Sequence, residues 1–469
     1  MSTNNLERAE AELGTERTEL RRDVGLFGGV SVIAGIMVGS GIFYIGALVL
    51  QRTGMSLGLS LLVWLIGGLI TLLSGMCYAE MGTMMPRAGG VYVYLREAYG
   101  ERVAFMCGFA NFTLGNSGSI AALAVAFAAA CATFVPMGFW AQKILAVSAV
   151  VALTLVNLRG IKSAAWVQGL FMLLKMLPIV IVLVCGLFFG NQTPDLTIMP
   201  ASNPSWSSLL SMVGFGIIAT LWAYEGWTNL NVIGEEIKNP RRNIPLAMII
   251  SILGVTLLYI LFNYAVYRVL PYDTITAMIS GKSYYLGKEA ANSLFGHWGM
   301  TIVGLAMVFA IFNSLSGCVM VFPRMYYAMA RDGAFFSCLA KLSPKHRTPV
   351  NALLASSGIS ILLIFTNNLD SLTSLVAVCG MIFHGMAFWG VIRLRQKYPT
   401  MERPYKVWFY PYSIYLICAI MIGLIINAII NDPVTAALNI IFPLIGLVIY
   451  QIFWRNSFTK VRKEEGLDV

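Results

Sequence analysis

Twelve apolar stretches follow one another along the 469 residues, at 26–50, 57–82, 103–134, 142–158, 164–190, 208–234, 245–270, 297–323, 349–366, 371–392, 408–430 and 434–454. A hydrocarbon layer about 30 Å thick takes roughly 20 apolar residues per helical crossing. Inside that layer each backbone N–H and C=O must find a partner within the protein, which restricts apolar runs of this length to helices. The pattern predicts an all-α membrane protein with twelve transmembrane helices. A composition that is 58% hydrophobic and 12% charged excludes a soluble globular chain of this size.

Basic residues alternate from loop to loop. Arg17, Arg21 and Arg22 precede the first span, and Arg87, Arg96 and Arg102 lie between the second and third. Lys238, Arg241 and Arg242 follow the sixth, Arg331, Lys341, Lys345 and Arg347 the eighth, and Arg393, Arg395, Lys397, Arg403 and Lys406 the tenth. The intervening loops carry Arg52, Lys143, Arg268, Lys282 and Lys288. By the positive-inside rule both termini are expected in the cytoplasm of a cell bounded by its plasma membrane. The net charge of +10 then reflects topology and attraction to anionic lipid, and no nucleic-acid partner is expected. The polar N-terminus is too rich in Arg and Glu for a cleaved signal peptide. Eight cysteines and three histidines show no ligand spacing, so neither metal nor cofactor is expected.

Two spans are interrupted. The first reads Ile36-Met37-Val38-Gly39-Ser40-Gly41-Ile42-Phe43, a glycine break where a membrane helix should be most regular. The sixth carries Trp222-Ala223-Tyr224-Glu225-Gly226-Trp227-Thr228. Five spans separate them, so they run antiparallel, as in an inverted 5+5 repeat whose site lies between the halves. The expected organisation is a cytoplasmic tail over 1–24, a first repeat over 25–190 and a second over 208–395. Two added helices over 408–454 and a cytoplasmic tail over 455–469 complete it. The segment 85–100, with Tyr92, Tyr94 and Arg96, is too polar to span and reads as a short interfacial helix.

Half-helix polarity gives the breaks a chemistry. After the first, N–H groups at Gly41, Ile42 and Phe43 open a new helix and form an anion-binding end. Before the second, carbonyls near Leu221, Trp222 and Ala223 lose their intrahelical partners and can accept from an ammonium. Donors on one side and acceptors on the other fit an α-amino acid zwitterion. A packing kink would also account for the glycines alone. Trp222 reads either as an aromatic lid or as a packing or interfacial tryptophan. Glu225 reads as a brace for the unwound segment, a proton carrier or a partner for a cationic group. Lys162, at the start of the fifth span, reads as one more positive-inside residue. The strip Asn313-Ser314-Leu315-Ser316-Gly317 suits helix contact or an ion site.

Four segments together resemble the L-type amino acid transporter family, within the amino acid, polyamine and organocation superfamily. They are Gly39-Ser40-Gly41-Ile42-Phe43, Pro86-Arg87-Ala88-Gly89-Gly90 with Tyr92 and Tyr94, Trp222 to Trp227 running on to Glu235-Glu236-Ile237-Lys238-Asn239-Pro240-Arg241-Arg242-Asn243-Ile244-Pro245, and Glu402-Arg403-Pro404-Tyr405-Lys406-Val407. The resemblance implies a leucine-transporter-like fold unwound in the first and sixth spans. It implies carboxylate binding by Val38, Gly39, Ser40, Gly41 and Ile42, and amine binding by Leu221, Trp222 and Ala223 beside Glu225, with Trp222 as the gate. It raises Lys162 to a coupling residue, standing for a fifth-span lysine that takes the place of sodium, with Ser316 as a second coupling residue.

Such proteins are sodium-independent exchangers working by alternating access. Neutral, small to medium L-amino acids are the expected substrates, since no second acidic residue awaits a cationic side chain. A basic amino acid, agmatine or polyamine carrier of the same fold, or a channel or non-transporting receptor, is the alternative. The loop at 135–142 lacks the cysteine through which animal members join a glycoprotein, so a lone bacterial-type subunit is expected. No enzyme is expected, because no nucleophile and base share a depth.

Overall fold

In a computed structural model of the chain, residues 14, 19–39, 41–281, 284–366, 369–431 and 433–455 are described; Ser40 and most of both tails lie outside them. Each apolar stretch becomes a helix. The first span is split into α1 (Leu26–Met37) and α2 (Gly41–Arg52), bent by 51°. Then come α3 (Leu57–Met84), the short α4 (Val91–Tyr99), α5 (Glu101–Ala132), α6 (Phe139–Leu158) and α7 (Ile161–Phe189). The sixth span is α8 (Trp206–Ala223), an irregular turn and α9 (Asn229–Val232). It is followed by α10 (Pro240–Val269), the connecting α11 (Tyr272–Ser280) and α12 (Leu286–Phe295), and α13 (His297–Arg331). The last four are α14 (Val350–Thr366), α15 (Leu369–Lys397), α16 (Tyr412–Asn431) and α17 (Pro433–Trp454). Among the described residues there is no strand, only isolated bridges pairing Val24 with Ile237 and Ala88 with Ile233.

Burial sorts these helices. The broken spans sit inside a ring in which α10 packs along α3, α1 and α7, α13 packs on α7, α5 and α1, and α15 packs on α5. Helices α6, α7, α16 and α17 turn large apolar side chains outward, among them Trp140, Leu173, Ile422 and Phe453. In lipid such faces carry no hydrophobic penalty, so outward Leu and Ile are the expected finish of a spanning bundle.

One end of the bundle is stitched shut by polar contacts. Val24 N–H donates to Glu236 O at 3.0 Å, Lys238 N–H to Val24 O at 2.8 Å and Arg22 Nη1 to Ile237 O at 2.6 Å. Arg347 Nε donates to Glu19 O at 3.0 Å, drawing in the loop before α14. Arg324 pairs with Glu236 at 3.2 Å, Arg331 with Glu235 at 2.8 Å and Arg395 with Glu80 at 2.7 Å. Residues 91–99 form a helix as expected, yet it is not interfacial. Tyr92, Tyr94, Arg96 and Glu97 are buried, with Arg96 paired to Glu97 and Asp332 and Tyr92 donating to Asp332. A charge that would have snorkelled finds fixed counter-charges inside this cap instead.

Candidate functional site

The two breaks lie at the same depth and touch. The hydroxyl of Tyr259, on α10, lies 2.8 Å from Met37 O at the end of α1 and 2.9 Å from Ala223 O at the end of α8. A Cβ on Gly41 would fall 3.6 Å from Ala223 Cα. Since α1 and α2 have 12 residues each, about 18 Å of helix lies on either side of this point. The site therefore lies midway along the first span. One phenol has one proton, so Tyr259 can donate to only one of its two carbonyls at a time.

Helix α1 ends here because Gly39 turns its N–H back to Met37 O at 2.8 Å, which terminates the i to i−4 ladder. Its last carbonyls are satisfied from neighbouring helices. Lys175 Nζ donates to Gly35 O at 2.6 Å and to Val38 O, and Ser314 Oγ donates to Ile36 O at 3.0 Å. With its amide oxygen toward the ammonium, Asn313 accepts from Lys175 at 3.1 Å while its nitrogen donates to Gln168 Oε1 at 2.9 Å. That orientation is the physical one, because an ammonium only donates. A buried cation thus stands at the negative end of a half-helix, held by three neutral oxygens.

The second break is set by Gly226. Its φ of +121° is one that side-chain-bearing residues rarely adopt, and a Cβ there would sit 2.7 Å from Ile36 Cγ2 and 3.2 Å from Met37 N. Glycine lets the two unwound segments meet. Glu225 N–H, which regular helix would give to Leu221 O, goes to Trp222 O at 3.2 Å. The Leu221 carbonyl is left without its intrahelical donor, beside the Ala223 carbonyl that Tyr259 half serves. Phe215, Trp222 and Glu225 follow one stripe of α8 and its continuation, and all three are exposed, Trp222 at 37%. A carboxylate at this depth is tolerable where the exposure is to a watered cavity. Among the described residues no Lys or Arg pairs with Glu225.

The candidates drawn from sequence fall out unevenly. Val38, Gly39, Gly41 and Ile42 stand at the first break, and Leu221, Trp222, Ala223 and Glu225 at the second, the two sets facing each other. Ser40 lies outside the described residues. Lys162 is exposed in the first turn of α7, 13 residues and about 20 Å of helix from Lys175. The cation at the break is Lys175, not Lys162. Likewise Ser314 and Asn313 reach α1, while Ser316, two residues on, faces another side of α13, buried and without a bond to the break.

Sequence reasoning missed Lys175, Tyr259 and Gln168. Lys175 carried a signal: Leu173-Leu174-Lys175-Met176-Leu177 puts a cation in mid-span. The buried stripe of α7, Ile161, Ala164, Gln168, Lys175, Ile179, Val182 and Gly186, has helical spacing and includes both polar residues.

Comparison with known proteins agrees in scale with this geometry. The pattern describing the amino acid permease family matches residues 24–452. The serine/threonine exchanger SteT of Bacillus subtilis is 33% identical over 93% of this chain and 98% of its own length. The b(0,+)-type amino acid transporter 1 of Mus musculus is 31% identical over 96% and 93%. The cystine/glutamate transporter of Homo sapiens is 29% identical over 94% and 87%.

Proposed function

The chain belongs to the amino acid permease family, and on that premise we propose that it is a sodium-independent exchanger of neutral, small to medium L-amino acids. One observation carries the reading. The donor end of α2 and the acceptor end of α8 lie side by side at mid-depth, Gly41 against Ala223. The substrate carboxylate binds the N–H groups from Gly39 to Ile42, and its ammonium binds the carbonyls from Leu221 to Ala223. Charge-assisted bonds of this kind contribute about 1.5–3 kcal/mol each. Trp222 closes over the bound amino acid. Lys175 holds α1 where the resemblance puts a sodium substitute, which supports sodium independence.

The halves that move are the repeats at 25–190 and 208–395, with 408–454 outside them. Both termini face the cytoplasm of a plasma-membrane protein, since Arg22, Arg241, Arg331, Arg347, Arg395 and Arg403 gather at the end that carries them. The subunit acts without a disulfide-linked partner.

The test is uptake of labelled alanine or serine into sodium-free proteoliposomes. Uptake is expected only when the lumen holds amino acid, and amides or N-acyl derivatives should not compete. Equal uptake into empty vesicles, or a requirement for sodium, overturns the reading. Glu225, exposed without a basic partner, favours a second reading in which a cationic side chain docks there. Strong competition by arginine, agmatine or putrescine would select it.

A further inference from the structure

Helix α15 offers a second polar group to the centre of the bundle. Its residues Val376 and Cys379 pack on α5, where a Cβ on Gly118 would lie 3.1 Å from Val376 Cγ2 and one on Gly115 3.2 Å from Cys379 Sγ. The next face round carries Gly380, His384 and Phe388, and meets Tyr78 of α3 and Trp227 of the unwound segment. The Trp227 ring lies 5.9 Å from that of His384, 6.3 Å from Phe388 in a stack, and 5.0 Å from Tyr78. Trp227 follows Glu225 by two residues, so this aromatic group sits beside the proposed amino acid site.

His384 is held by one nitrogen and open at the other. Its Nδ1 lies 2.6 Å from the Tyr78 hydroxyl. Tyr78 is fully buried and its hydroxyl makes no other hydrogen bond among the described residues. Were its oxygen only to accept, its own O–H would be stranded in an apolar setting, at a cost of about 1–3 kcal/mol. Tyr78 therefore donates, Nδ1 accepts, and the neutral ring carries its proton on Nε2. That nitrogen looks over Gly380. A Cβ built at Gly380 would meet nothing within 4 Å except His384 itself, at 3.5 Å to Cδ2 and 3.6 Å to Nε2. Tyr78, Trp227 and Phe388 around it are buried, yet His384 and Gly380 keep partial exposure. The space beside Gly380 is open, and one N–H donor is aimed into it.

We propose that His384 is a specificity-determining residue, its Nε2–H donating to an oxygen on the substrate side chain, with Tyr78 as the residue that positions it. The inference rests on the proposed exchange of neutral amino acids and names the side chains that exchange favours: short ones bearing a hydroxyl. Side chains of the same shape without oxygen occupy the same space but leave the donor unpaired. A donor stranded in this way is what lets a site reject an isostere.

Half-saturating external concentrations of threonine against valine, and serine against alanine, test this in vesicles loaded with alanine. One hydrogen bond at stake predicts a preference of about tenfold for each hydroxyl member in the wild type. His384→Leu should bring each pair within about twofold, and His384→Gln, which keeps an N–H near Nε2, should recover much of the preference. Tyr78→Phe, which frees the ring, should narrow it as well. A wild type without hydroxyl preference, or a preference that survives both His384→Leu and Tyr78→Phe, overturns the assignment. If His384→Leu fails to fold, a Tyr78→Phe variant with undiminished preference does so alone. Failure of the wild type to exchange any amino acid would instead overturn the exchanger reading.

Discussion

Lys175→Met separates the anchoring of α1 from the ordinary upkeep of the bundle. Methionine nearly matches the volume and flexibility of the lysine stem, so α7 and α13 keep their packing. What goes is the ammonium and its three bonds, to Gly35 O, Val38 O and Asn313 Oδ1. Two terms oppose each other in stability: the bonds are lost, but so is the cost of burying a charge among neutral groups. The melting temperature should therefore move little. Exchange has no such compensation on the proposed function, in which the segment from Val38 to Ile42 binds substrate in the place Lys175 gives it. Losing the equivalent of one charge-assisted bond, about 1.5–3 kcal/mol, lowers exchange by roughly 10- to 150-fold. Initial rates of counterflow, alongside thermal unfolding in detergent, measure both. Lys162→Met is the control and should exchange within about twofold of wild type, since that side chain is exposed in the first turn of α7. Wild-type exchange by Lys175→Met, or equal losses in the two variants, would refute the reasoning.

Gly226→Ala places a methyl group against Ile36 and Met37 at a φ of +121°, a strain of roughly 1–3 kcal/mol before the clash, and should lower both melting temperature and exchange more than tenfold. Tyr259→Phe removes the one proton shared between Met37 O and Ala223 O; about 0.5–1.5 kcal/mol predicts a two- to twelvefold fall in exchange, read by the same counterflow assay. Trp222→Ala should raise the half-saturating substrate concentration severalfold without lowering the melting temperature, because a side chain 37% exposed contributes little to packing; an unchanged value returns Trp222 to a surface role.

The helices were legible because bilayer thickness is written in run length: each of the twelve apolar stretches became a helix or a broken pair. The breaks were legible because glycine and a carboxylate are conspicuous in such runs. What was misread had a common cause. Lys162 reads from its position as one more span-end cation, and the family resemblance assigns the fifth-span lysine to it, whereas Lys175 lies amid leucines and its meaning depends on which face of α7 turns inward. That face is defined by contact with α1 and α13, over a hundred residues away in sequence. Tyr259 is hidden for the same reason, since its partners are backbone carbonyls that no residue type announces. For residues 91–99 the helix was visible, while its burial depended on Asp332, supplied by the far end of α13.

The stitched end of the bundle makes the two mouths of the molecule unlike. Val24 makes main-chain bonds with Glu236 and Lys238 there, and Glu235, Glu236 and Glu80 each hold an arginine. Substrate arriving from that side meets a receptor that is open only for a fraction of the time, and its apparent affinity is divided by that fraction. Every 1.4 kcal/mol of closure weakens it about tenfold. A carrier with one mouth held closed in this way half-saturates at a higher amino acid concentration on the stitched side than on the other.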